Sequence, residues 1–369
     1  MLARIWALVI KEFLALLRDK KSRFVIIGPP LIQLLVFGYA ATFDLNHIPY
    51  AVFNQDSGFA SRQLLAEFQG SSAFQQVATI ENAGQIAPLI NQEKALLVLQ
   101  IGPDFTSDLL LHRPTRVQVI VDGRNSNTAT LALNYVNSVL LRFDLRWANA
   151  QHWGHPPAQL LMRSWFNPNL LSRWFIVPGI VALLVLVVTL LVTGLSVARE
   201  REQGTFDQLL VTPLRPLEIL VGKALPGLVI GAVEGLFIVL VAIFWFQVPF
   251  VGSMLALVAG LSLFLLAAVG IGLMISSLAV TQQQGLLGVF IFLVPAIILS
   301  GFATPIANMP VAVQYLTYLN PMRYFLIIVR GVFLEGDNMV MLWPQYWPLA
   351  IIALGSMAAS SWLFRHRMQ

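Results

Sequence analysis

Residues 174–198 read WFIVPGIVALLVLVVTLLVTGLSVA, a run without one charged side chain. A helix needs roughly 20 mostly apolar residues to cross the hydrocarbon core of a bilayer. This run meets that length and ends at Arg199. Five further stretches meet it too: 23–43, 224–247, 254–278, 285–304 and 344–364. Six transmembrane helices are therefore predicted, and only Glu234 puts a charge well inside any of them. The apolar run 322–334 is shorter and carries Arg323 and Arg330, so it reads as a re-entrant or interfacial helix within a loop at 305–343.

Composition agrees. Of 369 residues, 57% are hydrophobic and 11% charged. A soluble chain carries about 25% charged residues to cover its surface, so this one belongs in a lipid bilayer. The absence of cysteine excludes a disulfide framework, a thiolate zinc site, an iron–sulfur cluster and a Cys nucleophile. A net charge of +5 suggests nucleic acid, but the basic residues flank apolar runs, where they serve topology instead.

Arg4, Lys11, Arg18, Lys20, Lys21 and Arg23 precede or open the first span; Arg199, Arg201, Arg215 and Lys223 lie between the second and third; Arg365 and Arg367 follow the last. The loops on the other side, 248–253 and 305–343, hold only Arg323 and Arg330. The positive-inside rule then puts both termini in the cytoplasm, as an even number of spans requires. Residues 1–22 read as an amphipathic helix on the inner leaflet. Arg4, Lys11 and Arg18 lie on one face and Ile5, Trp6, Val9, Phe13 and Leu16 on another. That pattern argues against a cleaved leader. Gly28-Pro29-Pro30 is expected to kink or delay the first span.

The segment 44–173 differs in kind, with nine acidic residues balanced by nine basic ones. Strands are expected at 49–53, 77–80, 95–101 and 117–121, and helices at 61–69, 83–92, 105–111 and 128–150. This is a mixed α/β domain outside the membrane, between the first two spans. Its His152-Trp153-Gly154-His155 has metal-ligand spacing but no acidic partner nearby, and no metal site is assigned. No nucleophile-elbow or zinc-protease spacing occurs, so the domain binds or gates rather than catalyses.

After the second span come Arg199-Glu200-Arg201-Glu202-Gln203-Gly204-Thr205-Phe206-Asp207-Gln208-Leu209-Leu210-Val211-Thr212-Pro213, within a loop at 199–223. Phe206, Leu209 and Leu210 fall on one helical side, above a stem dense in mixed charge. Such a helix can dock into a groove on a soluble partner, apolar anchors inside and ion pairs at the rim. The plainer alternative is a solvated turn, with Arg199 and Arg201 as topology anchors. The stretch resembles the ABC-2 type permease family, the membrane halves of ATP-driven exporters. Leu299-Ser300-Gly301-Phe302, Pro305, Leu319-Asn320-Pro321-Met322-Arg323-Tyr324, Arg330-Gly331 and Leu334-Glu335-Gly336 resemble that family's fifth span and external re-entrant hairpin. A large domain after the first span is similar to its drug-export branch.

That resemblance implies a coupling helix at Gly204–Pro213, gripped by a separate cytoplasmic ATPase dimer that carries ATP and Mg. It also implies a second permease copy or a related permease, giving twelve spans, a bacterial inner-membrane location, and a periplasmic adaptor as a further partner. The cargo would be an amphipathic, drug-like or lipid-like small molecule. The chain itself holds no cofactor and is not the enzyme. Its one Gly-Lys, Gly222-Lys223, has Leu217 where a P-loop needs its first glycine and Ala224 where it needs Ser or Thr.

Glu234 either lines the transport path, selecting cations or binding a proton, or fixes helix contacts through Thr189 or Ser262. Gly227, Gly231 and Gly235 on the third span, and Gly270 and Gly272 on the fourth, favour tight packing within the chain over a dimer seam. Trp165, Trp174, Trp343 and Trp347 read as interfacial anchors. An ion-coupled secondary transporter would need more intramembrane ionisable groups than this. A membrane-anchored receptor or scaffold would work through the external domain.

Overall fold

The computed structural model describes residues 2–40, 45, 47–124, 126–151, 166–167, 171–206 and 214–366. Two compact units emerge: Met1–Thr42 with Ser164–Gln369, and Phe43–Arg163.

The chain opens with α1 (Leu2–Arg18), which buries Leu8, Val9 and Leu16 and leaves Trp6, Leu14 and Leu17 exposed. Next comes α2 (Lys20–Ala40), which starts ahead of Gly28 and runs through Pro29 and Pro30 without delay. Membrane helices tolerate proline where neighbours re-satisfy the freed carbonyls. Near its end, the Tyr39 hydroxyl accepts a hydrogen bond from Trp245 Nε1 at 2.7 Å.

The second unit is a four-stranded sheet with helices on both faces. Its elements are β1 (Ile48–Asn54), α3 (Phe59–Gln69), β2 (Phe74–Thr79), α4 (Ile86–Asn91), β3 (Leu97–Ile101), α5 (Phe105–Leu110), β4 (Val117–Val121) and α6 (Ser126–Ala150). Strand order is β2-β1-β3-β4, with β1 parallel to both neighbours and β4 antiparallel to β3. Tyr50, Leu97 and Leu99 pack with Leu64 and Phe68 of α3 and Val136 and Phe143 of α6. Ala51, Phe53 and Val98 pack on the other face with Leu89 of α4. Burial on both faces explains why β1 and β3 read as continuous apolar runs.

The first unit continues with α7 (Ser172–Gly194), α8 (Ser196–Glu202), α9 (Pro216–Phe244), α10 (Met254–Leu278), α11 (Gln282–Ile298), α12 (Val311–Leu316), α13 (Pro321–Arg330) and α14 (Trp343–His366). Among the described residues, four helices are long and apolar enough to cross a membrane: Ser172–Glu202, Pro216–Phe244, Met254–Leu278 and Trp343–His366. Two of the six expected spans are shorter apolar helices, Ile26–Tyr39 and Gln282–Ile298. The helix α7 is apolar all round and buried almost throughout, with α2, α9, α10, α11 and α13 packed on it. The glycines of α9 face this same chain: Gly227 meets Thr193, Gly231 meets Thr189 and Leu265, and Gly235 meets Val185 and Leu261.

Ten residues make α13, about 15 Å of helix, too short to cross a bilayer. It is buried against α7 and α10, with Phe325 stacked on Phe264 at 4.4 Å between centroids. Asn320 fixes its start. The side-chain oxygen accepts the Met322 N–H at 3.0 Å, and the side-chain amide donates to the Ala296 carbonyl of α11 at 2.6 Å. Asn320→Ala leaves both buried backbone groups unpaired, at about 1–3 kcal/mol each. We expect a lower unfolding midpoint in detergent and faster amide exchange confined to the first turn of α13 and the end of α11.

Candidate functional site

The span α7 does not run straight on into the charged stem. Its register breaks at Leu195, and α8 sets off from there. Ser276 Oγ of α10 accepts the N–H groups of Val197 and Ala198 at 2.9 and 3.1 Å, pinning the first turn of α8. Arg201 donates to the carbonyls of Ser277 and Ala279 at 2.9 and 3.1 Å, where α10 ends. Glu202 accepts the Gln282 N–H at 2.7 Å, where α11 begins. The charges of this stem thus strap it to the ends of two helices. Gly204 then turns the chain with φ of 69°, a left-handed conformation that favours glycine, and Thr205 donates to the Glu200 carbonyl at 3.3 Å.

Phe206 turns inward. It is buried among Leu8, Ile219, Leu220, Val269 and Leu273, edge-on to Phe364, with the Arg201 guanidinium 5.0 Å above its ring. It anchors the stem inside its own chain. Asp207, Leu209, Leu210 and Pro213, like His152, His155 and Trp165, lie outside the described residues. The third span also begins earlier than the expected 224. Pro216 opens α9, and Glu218 accepts the Arg215 N–H at 2.9 Å in its first turn. Residues 216–223, read as loop, are two turns of helix.

That extension carries Lys223 into a site invisible in the sequence. Its side chain is fully buried, with Nζ 3.1 Å from Glu12 Oε1 of α1 and 2.7 Å from Glu200 Oε2 of α8. Lys11 closes the cluster, 3.2 Å from Glu12 and paired also with Glu200. Two lysines and two glutamates therefore join the amphipathic helix, the stem and the base of α9. They border a cavity of about 360 Å³ that Arg199, Gln203 and Thr205 also line. Burial alone would raise the pKa of the Glu12 carboxyl, but Lys223 and Lys11 more than reverse this and hold it below its ordinary value. Lys11, despite partial burial, is raised by Glu200 and Glu12. The one available signal was compositional, since Glu12 is the sole acidic residue of an otherwise basic α1.

Glu234 sits eleven residues beyond Lys223 on α9, about 16 Å along the axis. Both carboxyl oxygens are buried without a hydrogen-bond partner. Neither expected partner serves: Ser262 donates to the Val258 carbonyl, and the Thr189 hydroxyl is itself unpaired. At the other end, the Arg323 guanidinium lies 4.1 Å from the Tyr318 ring centroid and bonds Thr317, while Arg330 lies 3.9 Å over Phe175. Pro305 leads into a single 3₁₀ turn, Ile306–Asn308, and Pro321 opens α13. The hairpin residues thus hold one short buried helix in place, and do not converge with the stem.

Comparison with known proteins bears on this arrangement of stem, buried charge cluster and short buried helix. The model of the ABC-2 family transporter protein family matches residues 20–362. The probable multidrug ABC transporter permease YbhR of Escherichia coli (strain K12) is 38% identical over the full length of both chains. The probable multidrug ABC transporter permease YbhS of the same organism is 33% identical, covering 92% of this chain and 90% of its own. The inner membrane transport permease YhhJ, also from that strain, is 28% identical over 99% of this chain and 97% of its own. A family match across nearly the whole length, bundle and sheet unit alike, places this chain in the ABC-2 family of transporter permeases.

Proposed function

We propose that this chain is the permease of an ATP-driven exporter in a bacterial inner membrane, moving amphipathic, drug-like small molecules outward from the cytoplasm or inner leaflet. Both termini face the cytoplasm, 44–173 is the periplasmic domain, and 199–223 meets a cytoplasmic ATPase dimer that binds ATP and Mg. A second permease completes the pathway, either another copy or a related chain; the 33% identity to a second multidrug permease beside the 38% relative supports either pairing. A periplasmic adaptor meets the sheet domain.

The observation that carries this reading is the stem. Arg201, Glu202 and Glu200 tie α8 to α10, α11, α9 and α1. A push on the neighbouring 204–213 segment therefore reaches four helices together, whereas a solvated turn would leave its charges in water. ATP binding elsewhere can then shift the equilibrium between inward and outward access. Asn320, Arg323 and Arg330 brace the hairpin at the exit, and Glu234 lies on the path.

Copurification with a Walker-type ATPase tests this reading. Leu209→Asp and Leu210→Asp are expected to lose the ATPase while the chain stays folded. Phe206→Asp is a poorer probe, since its ring is internal. If the chain alone in vesicles drives uphill transport from an ion gradient without ATP, it is a secondary transporter and the proposal fails. If it binds no ATPase and transports nothing, it acts as a receptor.

A further inference from the structure

Alongside Glu234 runs a lateral cleft of about 490 Å³ between α1, α2 and α9. Its walls are apolar: Phe13, Ile27, Leu31, Val233 and Phe237 line it, and among the described residues Glu234 is its single ionisable lining residue. Ligand sites for drug-sized molecules span roughly 300–1,000 Å³ and combine apolar walls with few polar groups. Ile27, Val233 and Phe237 are exposed, so the cleft opens on the flank of the unit, where lipid would be.

Depth can be read along α9. Lys223 and its ion pairs mark one end of the apolar stretch, and Trp245, bonded to Tyr39, marks the other. Glu234 is midway between residues 223 and 245, about 16 Å from each. A carboxyl there costs several kcal/mol that no hydrogen bond among the described residues offsets. A second apolar groove, about 440 Å³ and lined by Trp6, Ile10, Leu14 and Leu17, adjoins the first, sharing Phe13 and Val229. The two form one trench from the amphipathic helix to the buried carboxyl.

We propose that this trench binds monocationic amphiphiles from the inner leaflet, with the cation against Glu234 and the apolar body along α2 and α9. Lipid acyl chains fill apolar grooves equally well, but only a cation answers the carboxylate. Onward export of the bound molecule rests on the reading above; binding itself needs neither ATP nor a partner.

The test uses the full chain in nanodiscs of zwitterionic lipid, without ATPase or nucleotide, and subtracts binding to empty discs. Radiolabelled tetraphenylphosphonium is the cation and triphenylphosphine oxide the neutral control. Glu234→Gln is expected to weaken the cation about tenfold or more and leave the neutral ligand unchanged, while Glu234→Asp restores part of the loss. Ile27→Trp, which fills the cleft without touching the charge, should weaken both. Unchanged cation binding in Glu234→Gln, or equal loss of both ligands, overturns the proposal. So does separation of paired permeases by Ile27→Trp, which would make the cleft a protein interface. If cation binding follows Glu234 but no ATPase copurifies, the site stands and the export reading falls.

Discussion

Lys223→Met lowers the unfolding midpoint of the detergent-solubilised chain more than any other single charge removal near the stem. The substitution preserves much of the side-chain length and leaves Glu12 and Glu200 facing each other, with the half-exposed Lys11 still paired to both. Breaking a buried pair in this way costs about 3–5 kcal/mol, because the surviving charge stays buried. Lys11→Met removes a partly solvated partner and is expected to cost less, about 1 kcal/mol or under. The decisive comparison is the double variant Glu12→Gln/Lys223→Met. It restores neutrality and should recover a good part of the loss, giving a coupling term that two independent sites would not show. Acid supplies a second check. Because the folded Glu12 pKa is depressed, its contribution is fully present above the unfolded glutamate value of about 4.3 and fades as pH falls through the folded one. The wild-type chain should therefore lose stability below that value through this site, and Glu12→Gln should flatten that part of the profile.

The residues of this cluster show what a sequence hides. Lys223 and Glu12 stand 211 positions apart, and Lys11 and Glu200 stand 189 apart. No local periodicity links them, and an isolated lysine beside an apolar run looks like a topology signal. Local punctuation, by contrast, is legible. The Met254–Leu278 helix falls on its expected bounds, with Ser253 capping it, and so does strand Val117–Val121. Strand β2 begins at Phe74 rather than 77, because Gln75 and Gln76 belong to an exposed edge whose polar residues mask the alternation. The start of α9 was hidden by its charges. Arg215, Glu218 and Lys223 resemble a loop until two of them prove to be a helix cap and the third is buried. Phe206 teaches a related lesson: its spacing announces an apolar face, but only packing says which way that face turns.

Gly270→Val is the second large effect expected. Gly270 lies where α10 crosses α14, and a Cβ there would come within 2.8 Å of the Met357 nitrogen and the Ser356 carbonyl carbon. Those are backbone atoms, so no rotamer change relieves the overlap, and the helices must part. Overpacking of this kind costs about 1–3 kcal/mol, and a branched side chain against backbone belongs at the top of that range. Gly355→Val supplies the control: one residue before Ser356, it has nothing within 4 Å of an added Cβ, so its change should be small. The difference also reaches the stem. Two turns beyond Ser356, Phe364 meets the Phe206 ring at 6.1 Å, and through it the turn that follows α8. If displacement of α14 travels along that rigid helix, Gly270→Val weakens ATPase copurification as well as stability, whereas Gly355→Val alters neither. Equal unfolding midpoints for the two variants would mean that the α10–α14 crossing yields freely, and the stem would then be held by its hydrogen bonds and ion pairs alone.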